Sequence, residues 1–424
     1  MPAELKLKTE DFDTSGATRA SLDGKEYLVW NALPGETVSA HKVAKKNGRT
    51  IAFADKIIEK SKNRQKPKEV HYLSCSPWQS LKYKAENEYK LEIAKKLFKD
   101  RKISSNGLKI VSPQKQYGYR NKMEFSIYAE TDNYKLAFFK RAQRGKQVIS
   151  ECKLALPSIN SSAQEILDYI NSQPFAGRVY KSLLIRSNQK QEALAALFVT
   201  VPFEFSKFKF RKGSKLKGLK IFLSDPKSPA SIVTEEIASY GDKYINEELN
   251  GFSLRIDALS FFQINPPAFQ ETLADLKPLL VKGDYLDFYG GTGGLSIPLS
   301  KKIDSCIIVD SSKENIENAN YNIKSNRLTK FRAEQAMSEE MLQLVNSNTN
   351  LLLDPPRSGL HADIVKRIVS VRPPHIYYLS CNIETQLRDV SMLLNEYTII
   401  FKRIYNYFPR TPHFESLLVL RRNQ

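Results

Sequence analysis

Cysteine is scarce in this 424-residue chain: there are 4, at Cys75, Cys152, Cys306 and Cys381, far apart and with no CxxC pair. That spacing excludes a disulfide framework and a zinc ribbon and leaves reduced thiols. No uninterrupted apolar run approaches the roughly 18 residues of a membrane span. The opening MPAELKLKTEDFD also carries acids where a secretory signal needs an apolar core. A cytoplasmic protein with no membrane partner is the expectation. Acids are in short supply as well, with 46 Asp and Glu against 65 Lys and Arg, a formal charge of +19. A positive field of that breadth attracts polyanions, so nucleic acid is the first partner to consider.

What is present has the balance of a globular protein, with 41% hydrophobic and 26% charged residues. The length exceeds one typical domain of roughly 100–200 residues. Residues 1–65 contain short alternating stretches (KEYLVWNA, ETVSAHKV, RTIAFADKII) punctuated by Asp23-Gly24 and Pro34-Gly35, which predicts a small β-barrel. Polar SKNRQKPKE, residues 61–69, reads as a linker. Residues 70–255 predict an α+β middle region. It opens with a helix over 81–99, followed by strands in YRNKMEFSIYAE, YKLAFFK, KSLLIRSN and EALAALFVT, a helix near 158–172, and a Lys-rich interruption at 206–220. In residues 256–424, helices alternate with continuous apolar strands: YLDFYGG, SCIIVD, NLLLDPP and IYYLSCN. Such strands are buried on both faces, which requires a parallel sheet covered by crossover helices, an α/β architecture.

Four segments of that last region carry chemistry. LDFYGGTGG, residues 286–294, runs a strand into a glycine-rich turn with a helix expected near Leu295, and Asp310 closes the next strand where an acid can bind ribose hydroxyls. The dinucleotide pattern is incomplete, because Ser296 takes the place of its last glycine. NLLLDPPRSGL puts Asp354 at the carboxyl end of a strand, held by two prolines. IYYLSCNIET delivers Cys381 just past a strand, whereas Cys306, inside SCIIVD, reads as a buried core thiol. PRTPHFESLLVL places Glu415 at the start of a last apolar strand with no structural use for a carboxylate.

These segments, with FFQINPPAF (261–269) and FPRTPHFE, resemble in order the RNA uracil-C5 methyltransferases, which make 5-methyluridine in transfer and ribosomal RNA. The resemblance implies a class I methyltransferase (Rossmann-like) domain at 256–424 and S-adenosylmethionine as cofactor. It also implies an RNA-binding central domain and an N-terminal barrel of the TRAM (OB-like) type. On matching positions, Gln263, Tyr289, Asp310 and Asp354 would bind or border S-adenosylmethionine, Cys381 would be the nucleophile and Glu415 the proton acceptor. Asp310, Gly290, Asn406 and Arg410 depart from the family's usual Glu, Cys, Asp and Gln, and the last two are expected beside the base. Many barrel-bearing relatives hold an iron–sulfur cluster on four cysteines. Here only Cys75 and Cys152 fall in the corresponding regions, so no cluster is expected.

The implied chemistry is covalent. A thiolate adds to C6 of uracil, the C5 carbon so activated takes the methyl group, and a carboxylate removes the C5 proton. The base must leave its stack, at a cost of roughly a few kcal/mol that RNA binding supplies. Two basic stretches are candidates for that binding: residues 42–68, and 202–220, where Phe205, Phe208 and Phe210 interleave with Lys and Arg. Core phenylalanines beside a solvated charge run are the plain alternative for the second. Ribosomal RNA is favoured over transfer RNA, and no obligate protein partner is expected. The competing readings are transfer RNA uridine methylation, an RNA base N-methyltransferase using Asp-Pro-Pro, and a noncatalytic RNA-binding factor.

Overall fold

Asp23 and Gly24 both take positive φ, 51° and 70°, the two-residue turn whose twist suits a hairpin. It joins β2 (Thr18–Leu22) to β3 (Lys25–Trp30). With β1 (Leu5–Phe12), β4 (Thr37–Lys46) and β5 (Arg49–Glu59) they close a barrel in the order β1-β2-β3-β5-β4. Alternate residues point inward, and Leu7, Val29 and Val38 share the narrow interior with Ala20, Ala40, Ala52 and Ala54. The computed structural model describes residues 4–424 apart from 47, 176, 203, 229 and 230. Phe203, in the basic aromatic stretch, therefore lies outside the described residues.

The expected linker is tied down. Arg64 forks onto Glu36 (Nε to Oε1 2.5 Å, Nη2 to Oε2 2.7 Å), and Gln65 N donates to Ser80 O at 2.7 Å. After α1 (Tyr72–Cys75), Trp78 is buried against Phe12 and donates from Nε1 to Gly16 O. Trp78, Phe12, Leu33, Leu81 and Ala85 thereby weld the barrel to α2 (Tyr83–Asp100).

The helix expected over 81–99 forms, but it does not open the middle region. Its Ala94 and Phe98 lie in one core with Leu418 of the C-terminal sheet and with Ile364 and Leu387 of the helices that cover it. β6 (Ile110–Val111) then pairs with the edge strand of that same sheet. Helical periodicity reveals an apolar face and not the layer that will cover it.

The middle region is one seven-stranded sheet. Its strands are β7 (Lys122–Glu130), β8 (Asn133–Phe139), β9 (Lys146–Ile149), β10 (Tyr180–Ser187), β11 (Ala193–Val199), β12 (Leu216–Leu223) and β13 (Glu235–Gly241), in the order β13-β12-β11-β10-β7-β8-β9. α3 (Pro157–Asn171), opened by Pro157, covers one face. Leu183, Ile185, Ala195 and Leu197 pack with its Ile159, Ala163 and Ile166. Their alternates Leu184, Ala196 and Phe198 face the hairpin β14 (Ile245–Leu249) and β15 (Phe252–Ile256) and α4 (Pro266–Leu276). The 206–220 stretch is less available than its sequence suggests. β12 starts within it, and Phe208 is buried edge-on to Tyr169, so Phe208 is a core residue and cannot stack on bases.

The C-terminal sheet contains β16 (Asp284–Phe288), β17 (Ser305–Asp310), β18 (Phe331–Gln335), β19 (Asn350–Leu353), β20 (His375–Ser380), β21 (Tyr397–Tyr405) and β22 (Glu415–Arg422). With β6 they run in the order β18-β17-β16-β19-β20-β22-β21-β6. The strands β16 to β20 are parallel, with α5 (Lys313–Ser325), α6 (Ala362–Val371) and α7 (Ile383–Ser391) among their connections, and β22 returns antiparallel to β20. The helix expected near Leu295 is only a 3-10 segment at Ile297–Lys302, since the chain must be back at Ser305 to begin β17. Cys306 is fully buried in the core. Among the described residues no helix is long and apolar enough to cross a membrane.

Candidate active site

Strand order reverses beside β16, with β17 and β18 on one side and β19 and β20 on the other. Parallel sheets bind ligands in the crevice at that point, outside the carboxyl ends of their strands. A cavity of about 1000 Å³ opens there. Tyr289, Asp310, Asp354 and Cys381 reach it from the ends of β16, β17, β19 and β20, Gln263 from the segment before α4, and Glu415 from the start of β22. The six residues singled out in the sequence thus line one space.

Local structure explains each placement. Tyr289 ends β16 in a left-handed conformation, φ 60°, which a bulky residue adopts only where the surroundings enforce it. Asp310 accepts from Gly291 N (3.0 Å) through Oδ2, and from Ser312 N (2.9 Å) and Asn315 Nδ2 (3.0 Å) through Oδ1, so the acid fixes the glycine turn to the start of α5. The turn itself is tight. A Cβ on Gly290 would meet Ile308 at 2.6 Å, whereas one on Gly291 would find only Phe261, at 3.5 Å. Asp354 Oδ2 accepts from Gln263 Nε2 at 2.8 Å, and Gln263 O accepts from Asn121 Nδ2 at 3.0 Å, so the middle region positions this pair.

The Cys381 turn is braced on both sides. Ser380 Oγ accepts from Asn382 N (3.1 Å), and Asn382 Oδ1 caps α7 by accepting from Glu384 N (3.1 Å). Asn382 Nδ2 reaches across to Arg357 O at 2.8 Å, joining the Ser-Cys-Asn turn to the Asp-Pro-Pro-Arg loop. The thiol itself is half-buried.

Electrostatics in the cavity favour neutral forms. Burial pushes the Cys381 thiol up to about 11, the Glu415 and Asp354 carboxylates add to the rise, and Arg357 opposes it. The net positive charge of the chain therefore does not activate this thiol. Burial also raises Asp354, helped by Asp287. Glu415 is raised well above the carboxylate range by burial and then by Asp354, against the pull of Arg357. A strand-entry glutamate is ordinarily solvated, but Glu415 is 2% exposed and its Oε2 has no hydrogen-bond partner.

Asn406 and Arg410, which the sequence places beside the base, hydrogen-bond elsewhere. Asn406 Oδ1 accepts from Lys90 Nζ (2.6 Å) and its Nδ2 donates to Glu86 (3.0 Å). Arg410 N donates to both Glu86 oxygens (3.0 and 3.1 Å), and its Nη1 donates to Leu81 O (2.6 Å). Both are turned to α2, a partner about 300 residues away in sequence that no local pattern can announce. Sequence reasoning also passed over Arg120, Phe261, Arg357 and Phe408, all of which line the cavity. The signal for Arg357 was its place directly after Asp-Pro-Pro, and for Arg120 its place in QYGYRNKMEFS.

The fold defines the class first. The chain superposes with a TM-score of 0.78 on the tRNA (uracil-54, C5)-methyltransferase of Pyrococcus abyssi in complex with S-adenosyl-L-homocysteine. The two are 24% identical over 98% of this chain and 100% of that one, a likeness that gives the α/β fold of a class I methyltransferase. Residues 241–423 match the family model described as tRNA (Uracil-5-)-methyltransferase. An uncharacterised RNA methyltransferase of Prochlorococcus marinus is 28% identical over 92% of this chain and 99% of its own. The 23S rRNA (uracil(1939)-C(5))-methyltransferase RlmD of Legionella pneumophila is 26% identical over 95% and 94%. In its C-terminal part the chain is thus similar to the uracil-5 methyltransferase family, and along most of its length it is similar to RNA methyltransferases. That similarity weighs against the N-methyltransferase and noncatalytic readings.

Proposed function

We propose that this enzyme methylates C5 of a uridine in 23S ribosomal RNA, in the cytoplasm, through a covalent bond between Cys381 and C6. The observation that carries the reading is the convergence of Cys381, Glu415 and Asp354 on one cavity at the strand-order reversal. S-adenosylmethionine supplies an electrophilic methyl group when bound. The residues present fit it: Asp310 Oδ2 has one protein partner and a lone pair left for a ribose hydroxyl, and Tyr289, Gln263 and Asp354 border the same cavity.

Cys381 adds to C6 as a thiolate, and the electron pair displaced from the C5–C6 bond makes C5 nucleophilic. After C5 is methylated, Glu415 takes the C5 proton, and the returning electron pair expels the thiolate. Arg357 opposes the upward shift of both groups, so it favours the charged states this path needs without reversing the effect of burial.

The barrel at residues 5–59 would serve as a TRAM-type RNA-binding module, with the middle sheet as a second RNA surface. The 23S substrate rests on similarity to the Legionella enzyme along both chains. Comparing 5-methyluridine in ribosomal and transfer RNA from cells with and without the gene tests it. The reading expects loss from 23S RNA, and loss from transfer RNA alone would replace it with the transfer RNA reading. For the mechanism, Cys381→Ala should yield neither adduct nor product, whereas Glu415→Gln should accumulate a protein–RNA adduct labelled from the methyl donor and shortened by RNase. Normal turnover by Glu415→Gln would remove Glu415 as the base.

A further inference from the structure

Two of the four cysteines, Cys75 and Cys152, play no part in the chemistry above. Cys75 ends α1, and Cys152 follows β9, 77 residues later in sequence. The fold brings them together with Glu69 and His71, and the four donor atoms all lie within 4.8 Å of one another. Tetrahedral zinc with Zn–S near 2.3 Å and Zn–N or Zn–O near 2.0 Å needs its donors about 3.3–3.8 Å apart. These four therefore need close in by at most about 1.5 Å around an ion.

Three of the four are buried, Cys75 is half-buried, and the set is braced. Glu69, His71 and Cys152 are 9%, 7% and 0% exposed. His71 Nε2 is buried without a hydrogen-bond partner, although Glu69 Oε1 is 3.1 Å away. A ring nitrogen that faces a carboxylate and two thiols without a well-aligned hydrogen bond to any of them is placed as a metal ligand would be. Around it, Glu69 accepts from Lys153 N (2.6 Å) and Gln79 Nε2 (2.5 Å), and Asn160 bonds both the N and the O of Cys152 (3.0 and 3.1 Å). Outer contacts of this kind orient metal ligands. A four-thiolate iron–sulfur cluster does not fit, because two of the four donors are a carboxylate and an imidazole.

We propose that Glu69, His71, Cys75 and Cys152 bind one structural zinc ion. All four protein donors are present, so no position is left for a substrate. The ion would pin a junction: the segment that carries three of its ligands also bonds the barrel through Tyr72 (Oη to Asn31 Oδ1, 2.6 Å). It bonds the middle region through Leu73 O (from Arg141 Nε, 2.8 Å), and the C-terminal region through Trp78 N (to Arg410 O, 3.0 Å).

The test is metal and sulfide analysis of the full chain, purified without oxygen or chelator. The expected result is about one zinc per chain with no iron and no labile sulfide. Replacement by Co²⁺ should give thiolate-to-cobalt charge transfer and the intense visible bands of a tetrahedral site. Cys152→Ala should lose the metal, while Cys306→Ala, which alters a buried thiol outside the set, keeps it. The wild-type stoichiometry and cobalt spectrum decide the matter even if Cys152→Ala fails to fold. Four irons with sulfide would overturn the proposal. So would metal-free protein in which Cys75 and Cys152 form a disulfide, or react freely with a thiol reagent after zinc is added.

Discussion

Two buried glutamates on opposite sides of the Asn406–Glu415 segment have opposite surroundings. Glu86 is fully buried and meets Lys90 Nζ at 2.9 Å, Asn406 Nδ2 at 3.0 Å and the backbone and guanidinium of Arg410. Glu415 is as deeply buried, yet one of its oxygens has no partner and its charged form is disfavoured. A carboxylate whose oxygens are all hydrogen-bonded specifies structure, whereas an unsaturated one beside a cavity keeps a proton-transfer role open. The difference also explains why Asn406 and Arg410, next to Glu415 in the family motif, serve α2 and leave Glu415 alone.

Exchanging the amide for the carboxylate sets the two sites apart most sharply. Glu415→Gln should lower turnover by about 10²–10⁴-fold with the melting temperature held or raised. Steady-state kinetics beside calorimetry would show this, and a large drop in melting temperature would mean that Glu415 too is structural. Glu86→Ala leaves Lys90 and Arg410 as uncompensated buried cations and should cost about 3–5 kcal/mol in a denaturant titration. A loss below about 1 kcal/mol would mean that the cluster is not tightly coupled.

Smaller effects probe the thiol. Because Cys381 is pushed up to about 11, its thiolate fraction and the rate of adduct formation should climb about tenfold per pH unit from about 7 to 9. Arg357→Met removes the opposing cation, so adduct formation near neutral pH should fall by about tenfold with RNA affinity little changed. A flat profile in single-turnover trapping would show that substrate binding resets this pKa. The smallest effect is expected in the barrel, where Lys42 and Lys45 are exposed. Replacing both with Ala should reduce the salt slope of RNA binding by about 0.7 per lost phosphate contact.

Much of the site was legible because it lies where apolar strands stop. Asp354 and Cys381 stand out in sequence as polar residues that end NLLL and IYYLS, and strand ends are where a parallel sheet meets its ligand. The barrel was legible for a similar local reason, its alternation and its turn residues. What stayed hidden depends on partners distant in sequence. The attachment of α2 to the C-terminal sheet, the bond between Lys90 and Asn406, and the meeting of Cys75 and Cys152 each join segments far apart. Phe208 was ambiguous because a phenylalanine among lysines has the same sequence whether it faces a core or a solvent.

The short pairing of β6 with β21, Ile110 against Ile404 and Val111 against Tyr405, sets a schedule for biosynthesis. At roughly 5–20 residues per second, the edge of the catalytic sheet emerges from the ribosome about 290 residues, or roughly 15–60 s, before its neighbouring strand. Through that interval the barrel and the middle sheet can complete themselves before the sheet and α7 that cover α2 are whole. A nascent chain arrested before Ile383 lacks α7 and should leave Ala94 and Phe98 more exposed than in the finished enzyme.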